Sequence, residues 1–191
     1  MWCVACVERV TELHARGFGG RVNLGVGDMP ATGRKISLSS QDEWALTAAS
    51  EGAGVRVRSV SGTLHIQLED QRFIVKGHLV LEAEAVCDRC GEPAVLQVSD
   101  DVDLQYLPIV RNEPNDEDAE VELSADELDA GWYEGTSLDM KRTLCEAVAL
   151  AWPSRALCAE QEPCEARARD LLDADKSAMS PFAALRGLVD A

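Results

Sequence analysis

Cys87-Asp-Arg-Cys90 puts two thiols on a turn between two alternating stretches of chain. At that spacing both thiolates reach vertices of one tetrahedral metal site without straining the turn. A second pair, Cys158 and Cys164, lies towards the other end. Together the four make the donor set of a structural zinc site, although the five residues between Cys158 and Cys164 exceed the usual gap of roughly two to four. The plainer alternative is a reduced pair that only rigidifies a hairpin tip, with Cys87 packed as a small apolar side chain. A redox CxxC, the third reading, normally opens a helix, where the helix dipole lowers the thiol pKa. Here Gly91-Glu92-Pro93 leads into another strand pattern, which disfavours it.

The remaining reactive residue types form no catalytic pattern. Cys3 and Cys6 repeat the CxxC spacing in a stretch without regular patterning, and Cys145 falls on an apolar helical stripe that assigns it to a core. His78 shares a strand face with Glu82 and Glu84, as a half-exposed, charge-paired histidine would; His14 and His65 have no companions. No Ser/His/Asp order, phosphate loop or HExxH occurs. Arg56, Arg58, Arg72, Lys76 and Arg89 could gather on neighbouring strands, but pairing with Glu82 and Glu84 accounts for them equally well, and few aromatics lie among them to stack on bases. The expectation is a protein that is not an enzyme.

A net charge of −16 bears on partners. Such a chain is repelled by phosphate polyanions at long range, which excludes DNA and non-specific nucleic-acid binding as main activities. Contact with RNA would need a local basic face or a basic partner protein. The acid is concentrated: residues 100–134 hold thirteen acidic side chains against one basic, Arg111, which marks this stretch as solvated. No apolar run approaches the roughly 18 residues that span a bilayer. Seven cysteines, an odd number, without an export signal point to reduced thiols in the cytoplasm.

The elements that would position the thiols follow from periodicity. Residues 1–34 are Gly-rich and poorly patterned, with a short helix over 4–15; regular patterning begins at Lys35, which suggests Met29 as the true start and residues 1–28 as an extension. A strand over 35–38 precedes a helix over 41–50 that carries Trp44. Strands follow at 55–58 and 63–68, then a turn at 69–71 and a long strand over 72–87 with Phe73, Val75, Leu79, Leu81, Ala83, Ala85 and Cys87 on one face. Beyond Pro93 the inward set is Leu96, Val98, Val102, Leu104 and Tyr106. Residues 112–134 read as an acidic mobile loop. Thr136 to Asp139 resembles a capping box, opening a helix with Leu144, Cys145, Val148 and Trp152 in a stripe that Pro153 ends. The tail, 154–191, is a polar linker closed by a short amphipathic segment at 180–188. The expected fold is α+β: one domain over 35–191 with a twisted or partly closed antiparallel meander of about five or six strands and a C-terminal helix packed on it.

Four pieces in order resemble the YceD family of large ribosomal RNA subunit accumulation proteins. They are the Gly77 to Cys90 strand ending in C-x-R-C, the acidic middle, the Leu138-Asp139 to Trp152-Pro153 helix, and the Pro181 to Leu188 ending. The resemblance spans roughly residues 35–191. Many members carry a C-terminal cysteine cluster that looks like the other half of a zinc site; here it is Cys158 and Cys164, without the family's closing Cys-Pro-x-Cys-Gly. The resemblance implies a cytoplasmic, bacterial type of ribosome-biogenesis factor. It would support large-subunit rRNA and meet ribosomal proteins, assembly factors or that rRNA. The competing expectations are a zinc-stapled adaptor unrelated to the ribosome and, further off, a CxxC thiol oxidoreductase.

Overall fold

The computed structural model describes residues 11–13, 22–109 and 129–176, with side chains over 22–109 and 129–172. Cys3, Cys6, the acidic stretch 110–128 and the 180–188 segment lie outside the described residues, as does most of the 4–15 helix; of that range Thr11–Leu13 (β1) is strand. The chain divides into two compact units, one built from residues up to Ala83 with Gln97–Trp152, the other from Glu84–Leu96 with residues from Pro153 onward.

The first unit is α+β. After β1 come Asn23–Gly25 (β2) and Arg34–Leu38 (β3), then helix α1, Glu43–Ala53. Val57–Glu69 (β4), Arg72–Val86 (β5) and Pro93–Pro108 (β6) are the long strands, and β5 and β6 contribute to both units. Gly131–Tyr133 (β7), in the last part of the expected acidic loop, and Ser137–Asp139 (β8) precede helix α2, Met140–Ala151. The main sheet runs β1-β3-β4-β5-β6-β7 and is open, not closed; β2 and β8 form a separate pair.

The sheet is mostly antiparallel: β3 pairs β4, and β4 pairs β5 from Val57↔Ala83 to Glu69↔Arg72. The turn between β4 and β5 has positive φ at both Asp70 (47°) and Gln71 (65°), the backbone of a two-residue turn whose twist matches its strands. The two strands expected at 55–58 and 63–68 are one, β4, with a register shift between Val57 and Ser59. That irregularity breaks the period-2 pattern a single strand would otherwise display. Short parallel pairings, β1 with β3 and β6 with β7, complete the edges.

The alternation buries one face as expected: Leu64, Ile66, Phe73, Val75, Leu79, Ala83, Val98, Val102 and Tyr106 are in the core with Trp44. Each large apolar side chain fully buried there contributes about 1.5–3 kcal/mol of transfer free energy. Helices α1 and α2 close this core through Ala45, Ala48, Ala49, Leu144, Ala147 and Val148. Cys145, assigned to the core by its stripe position, is only half-buried; Met140 and Thr143 take the inward positions instead.

Helix α2 starts later than the sequence pattern indicates. Residues 137–139 are the strand β8, and Asp139 is itself the N-cap, accepting hydrogen bonds from the Lys141 and Arg142 N–H groups. The strand forms because Leu138 pairs with Leu24 and the Met140 N–H donates to the Val22 carbonyl at 2.9 Å. Both pairings are non-local. Val22 and Leu24 are buried ahead of Met29, so a chain beginning at Met29 would lose that support.

Candidate metal centre

The second unit is built around the CxxC. β5 ends at Val86, and the Cys87 N–H donates to the Glu92 carbonyl (2.8 Å) while the Gly91 N–H returns to the Cys87 carbonyl (2.9 Å), forming a tight knuckle before β6. Gly91 sits at φ 74°, a left-handed conformation that a glycine takes without steric cost. The opposing half comes from the loop after Pro153 and the helix α3, Gln161–Lys176. The sequence pattern marks this stretch as polar linker; α3 is polar on nearly every side, with Cys164 its one fully buried residue among those with described side chains, so no apolar stripe betrays it.

Cys87, Cys90, Cys158 and Cys164 come together with all four sulfurs within 4.8 Å of one another. Cys87 and Cys164 are 3.7 Å apart, and Cys90 and Cys158 are 3.6 Å apart. These are free thiols, far beyond the disulfide length of about 2.05 Å. An ion held about 2.3 Å from each of four sulfurs would set them about 3.8 Å apart, so the spacing fits a tetrahedral thiolate site. Cys87, Cys90 and Cys164 are buried with Ala94 in a small cluster that Leu157 and Ala168 flank, while Cys158 is half-buried.

The electrostatics favour charge on the knuckle pair. The Cys90 N–H points at the Cys87 sulfur and, against burial and with help from the Arg89 and Cys158 N–H groups, lowers its pKa to about 6. The Glu92 N–H, again against burial, lowers Cys90, with the Arg167 guanidinium assisting. The tail pair is pushed the other way. Burial and the neighbouring sulfurs raise Cys164 to about 12, and the Cys87 sulfur and burial raise Cys158. Four adjacent thiolates repel one another, so without a cation only part of the set ionises.

Two residues of the knuckle tie it to the tail half. The Asp88 carboxylate accepts the Ala156 N–H at 2.6 Å, and the Asp88 N–H donates to the Ala156 carbonyl at 2.7 Å. Arg89 meets Glu165 of α3 at 3.5 Å, and Arg167 donates towards the Cys158 sulfur at 3.7 Å. Of these, only Arg89 was singled out from the sequence, as one of the strand bases and in the C-x-R-C motif, and not for this contact. Asp88 carries no signal beyond its place inside the CxxC, and Arg167 none at all.

Arg58 pairs with Glu82 (3.6 Å), as the plainer reading expects, whereas Lys76 meets Asp103 (3.1 Å) and Arg72 donates to the Gln105 amide oxygen (3.0 Å) instead of Glu82 or Glu84. His78 is half-exposed and paired, but with Asp101 (2.8 Å), and its other ring nitrogen meets the Ser99 hydroxyl at 3.1 Å. This connectivity, invisible in chain order, is that of a hydrolase triad. Its carboxylate, however, is 89% exposed, whereas a triad aspartate is buried to hold and stabilise the histidinium. It is a hydrated surface pair. Among the described residues, no helix is long and apolar enough to cross a membrane.

No curated protein and no solved structure matches the chain significantly. The sequence profile described as "Large ribosomal RNA subunit accumulation protein YceD" matches residues 75–189, a span that takes in the knuckle, α2 and the tail pair of thiols. That description names an accumulation protein, not an enzyme. With more than half of its 191 residues matched by that profile, the chain belongs to the YceD family.

Proposed function

We propose that this protein is a non-enzymatic, cytoplasmic factor that supports the accumulation of large-subunit ribosomal RNA. The observation that carries this reading is the family match across residues 75–189. The net charge of −16 argues that it acts through basic ribosomal proteins or assembly factors, with rRNA met locally or by way of them. Under this reading the acidic stretch within 112–134 is the docking element for such a basic partner. Under this reading the YceD-like body spans residues 35–191, following an N-terminal extension. The test is the ratio of large- to small-subunit rRNA in cells lacking the protein, beside a complemented control. A selective fall of the large-subunit species is the expected result; an unchanged ratio would overturn the reading.

The same reading includes a structural zinc ion held by Cys87, Cys90, Cys158 and Cys164. Its support is four mostly buried sulfurs within 4.8 Å of one another. Zinc would supply folding energy to a unit whose own apolar cluster is small, as structural zinc does elsewhere. Asp88 orients the loop that brings Cys158 to the knuckle. Asp88→Ala should therefore lower zinc affinity roughly 10–100-fold, the usual effect of removing an outer-shell partner. Asp88→Asn, which keeps an acceptor for the Ala156 N–H, should lose much less; competition against a chromogenic chelator measures both.

A further inference from the structure

We propose that Cys158 is the oxidant-sensitive ligand of this centre, and that peroxide joins it to Cys90 and thereby releases the metal. The inference rests on the zinc reading above and assigns the four thiols unequal roles.

Three observations separate Cys158 from the rest. Cys87, Cys90 and Cys164 are 1%, 3% and 0% exposed, whereas Cys158 is half-buried, so a small oxidant in water meets its sulfur first. Cys87 and Cys90 are held by the knuckle and Cys164 by α3, but Cys158 lies in the loop between α2 and α3, outside any helix or strand. A disulfide requires the 3.6 Å gap to Cys90 to close to about 2.05 Å, and a loop sulfur can make that move. Arg167 Nη2 stands 3.7 Å from the Cys158 sulfur. A guanidinium there stabilises the anion that leaves when peroxide is attacked.

The chemistry balances with hydrogen peroxide as the oxidant. The Cys158 thiolate attacks one peroxide oxygen, the O–O bond breaks, and hydroxide leaves, giving a sulfenic acid. The Cys90 thiolate then attacks the Cys158 sulfur, the S–O bond breaks, and a second hydroxide leaves as the S–S bond forms. Two thiolates have lost two electrons and peroxide has gained two. The ion keeps two of its four ligands and is lost to solvent or a chelator. Reduction of the disulfide by a thiol restores the site.

The test uses the full-length, zinc-loaded chain with Cys3→Ser, Cys6→Ser and Cys145→Ser, which removes the other thiols. Hydrogen peroxide is added, zinc release is followed with a chromogenic chelator, and disulfides are mapped by mass spectrometry under non-reducing conditions. Zinc release in step with a Cys90–Cys158 disulfide, reversed by dithiothreitol and zinc, is the expected result. Compared at equal zinc loading, Arg167→Ala should oxidise several-fold more slowly than the parent chain, and Arg167→Lys should recover part of the rate. Zinc release through a disulfide that leaves Cys158 free would overturn the proposal. So would zinc retained under peroxide that oxidises glutathione in the same tube. A chain that purifies and reconstitutes without zinc would overturn the metal reading itself, and this inference with it.

Discussion

Cys164→Ser is expected to abolish stable zinc binding and to unfold the second unit while leaving the first unit folded. Cys164 is fully buried, and its sulfur faces Cys87 at 3.7 Å, so no other donor among the described residues replaces it. The unit has little else to hold it. Its apolar cluster is Ala94, Leu157 and Ala168 around the sulfurs, against a core of more than twenty buried residues in the first unit. Hydrogen exchange with mass spectrometry should show protection lost over residues 87–94 and 156–168, with β4, β5 before Ala83, and α1 unchanged. A chelator should reproduce the pattern in the wild-type chain. Acid should do so too, and the sign follows from the thiols. The tail pair holds its protons more tightly than an ordinary cysteine, so the ion must displace them, and its affinity rises with pH and falls on acidification. If Cys164→Ser keeps both its zinc and its exchange protection, the four-thiol site is wrong.

Gly77→Ala should be strongly destabilising to the first unit. Gly77 lies opposite Leu64 in the β4–β5 ladder, and a Cβ built on it would overlap the Thr63 carbonyl oxygen and stand 3.0 Å from the Leu64 Cα. Both obstacles are backbone, fixed by the flanking ladder, so the strands must part to admit the methyl group. Overpacking of this kind costs about 3 kcal/mol, a fall in Tm of roughly 6–12 °C for a chain of this size. Gly27→Ala is the matched control. Nothing lies within 4 Å of its Cβ, and its stability should stay within about 0.5 kcal/mol of wild type. Thermal melts of the two variants side by side decide the matter; equal midpoints would mean the β4–β5 approach at Gly77 is looser than described.

Much of this protein is legible in its sequence because much of its order is local. Phe73, Val75, Leu79 and Leu81 alternate, and a period of two is enough to predict a strand with one buried face. The spacing of Cys87 and Cys90 marks a candidate metal knuckle beside the plainer readings of a reduced or a redox pair, and Pro153 ends α2 because it cannot continue a helix. Other parts carry no such signal. β2 and β8 are three residues each and exist because Leu24 and Leu138 meet across more than a hundred positions. Asp139 looks like the third residue of a helix until β8 claims the residues before it and leaves it as the cap. α3 has almost no apolar face, since its one fully buried residue with a described side chain is a cysteine that the other three sulfurs surround.

The sequence by itself determined the fold class, the buried face of β5 and the cysteines available as donors, all of which follow from residue chemistry and short-range periodicity, while the openness of the sheet came from the tertiary structure. Only the tertiary structure decided that the sulfurs of Cys158 and Cys164, some seventy residues beyond the knuckle, lie within 4.8 Å of those of Cys87 and Cys90. Asp88 and the Ala156 backbone make that closure through two short hydrogen bonds. A spacing rule describes how far neighbouring ligands can reach along one turn. It says nothing about two half-sites on separate segments, whose distance depends on every residue folded between them.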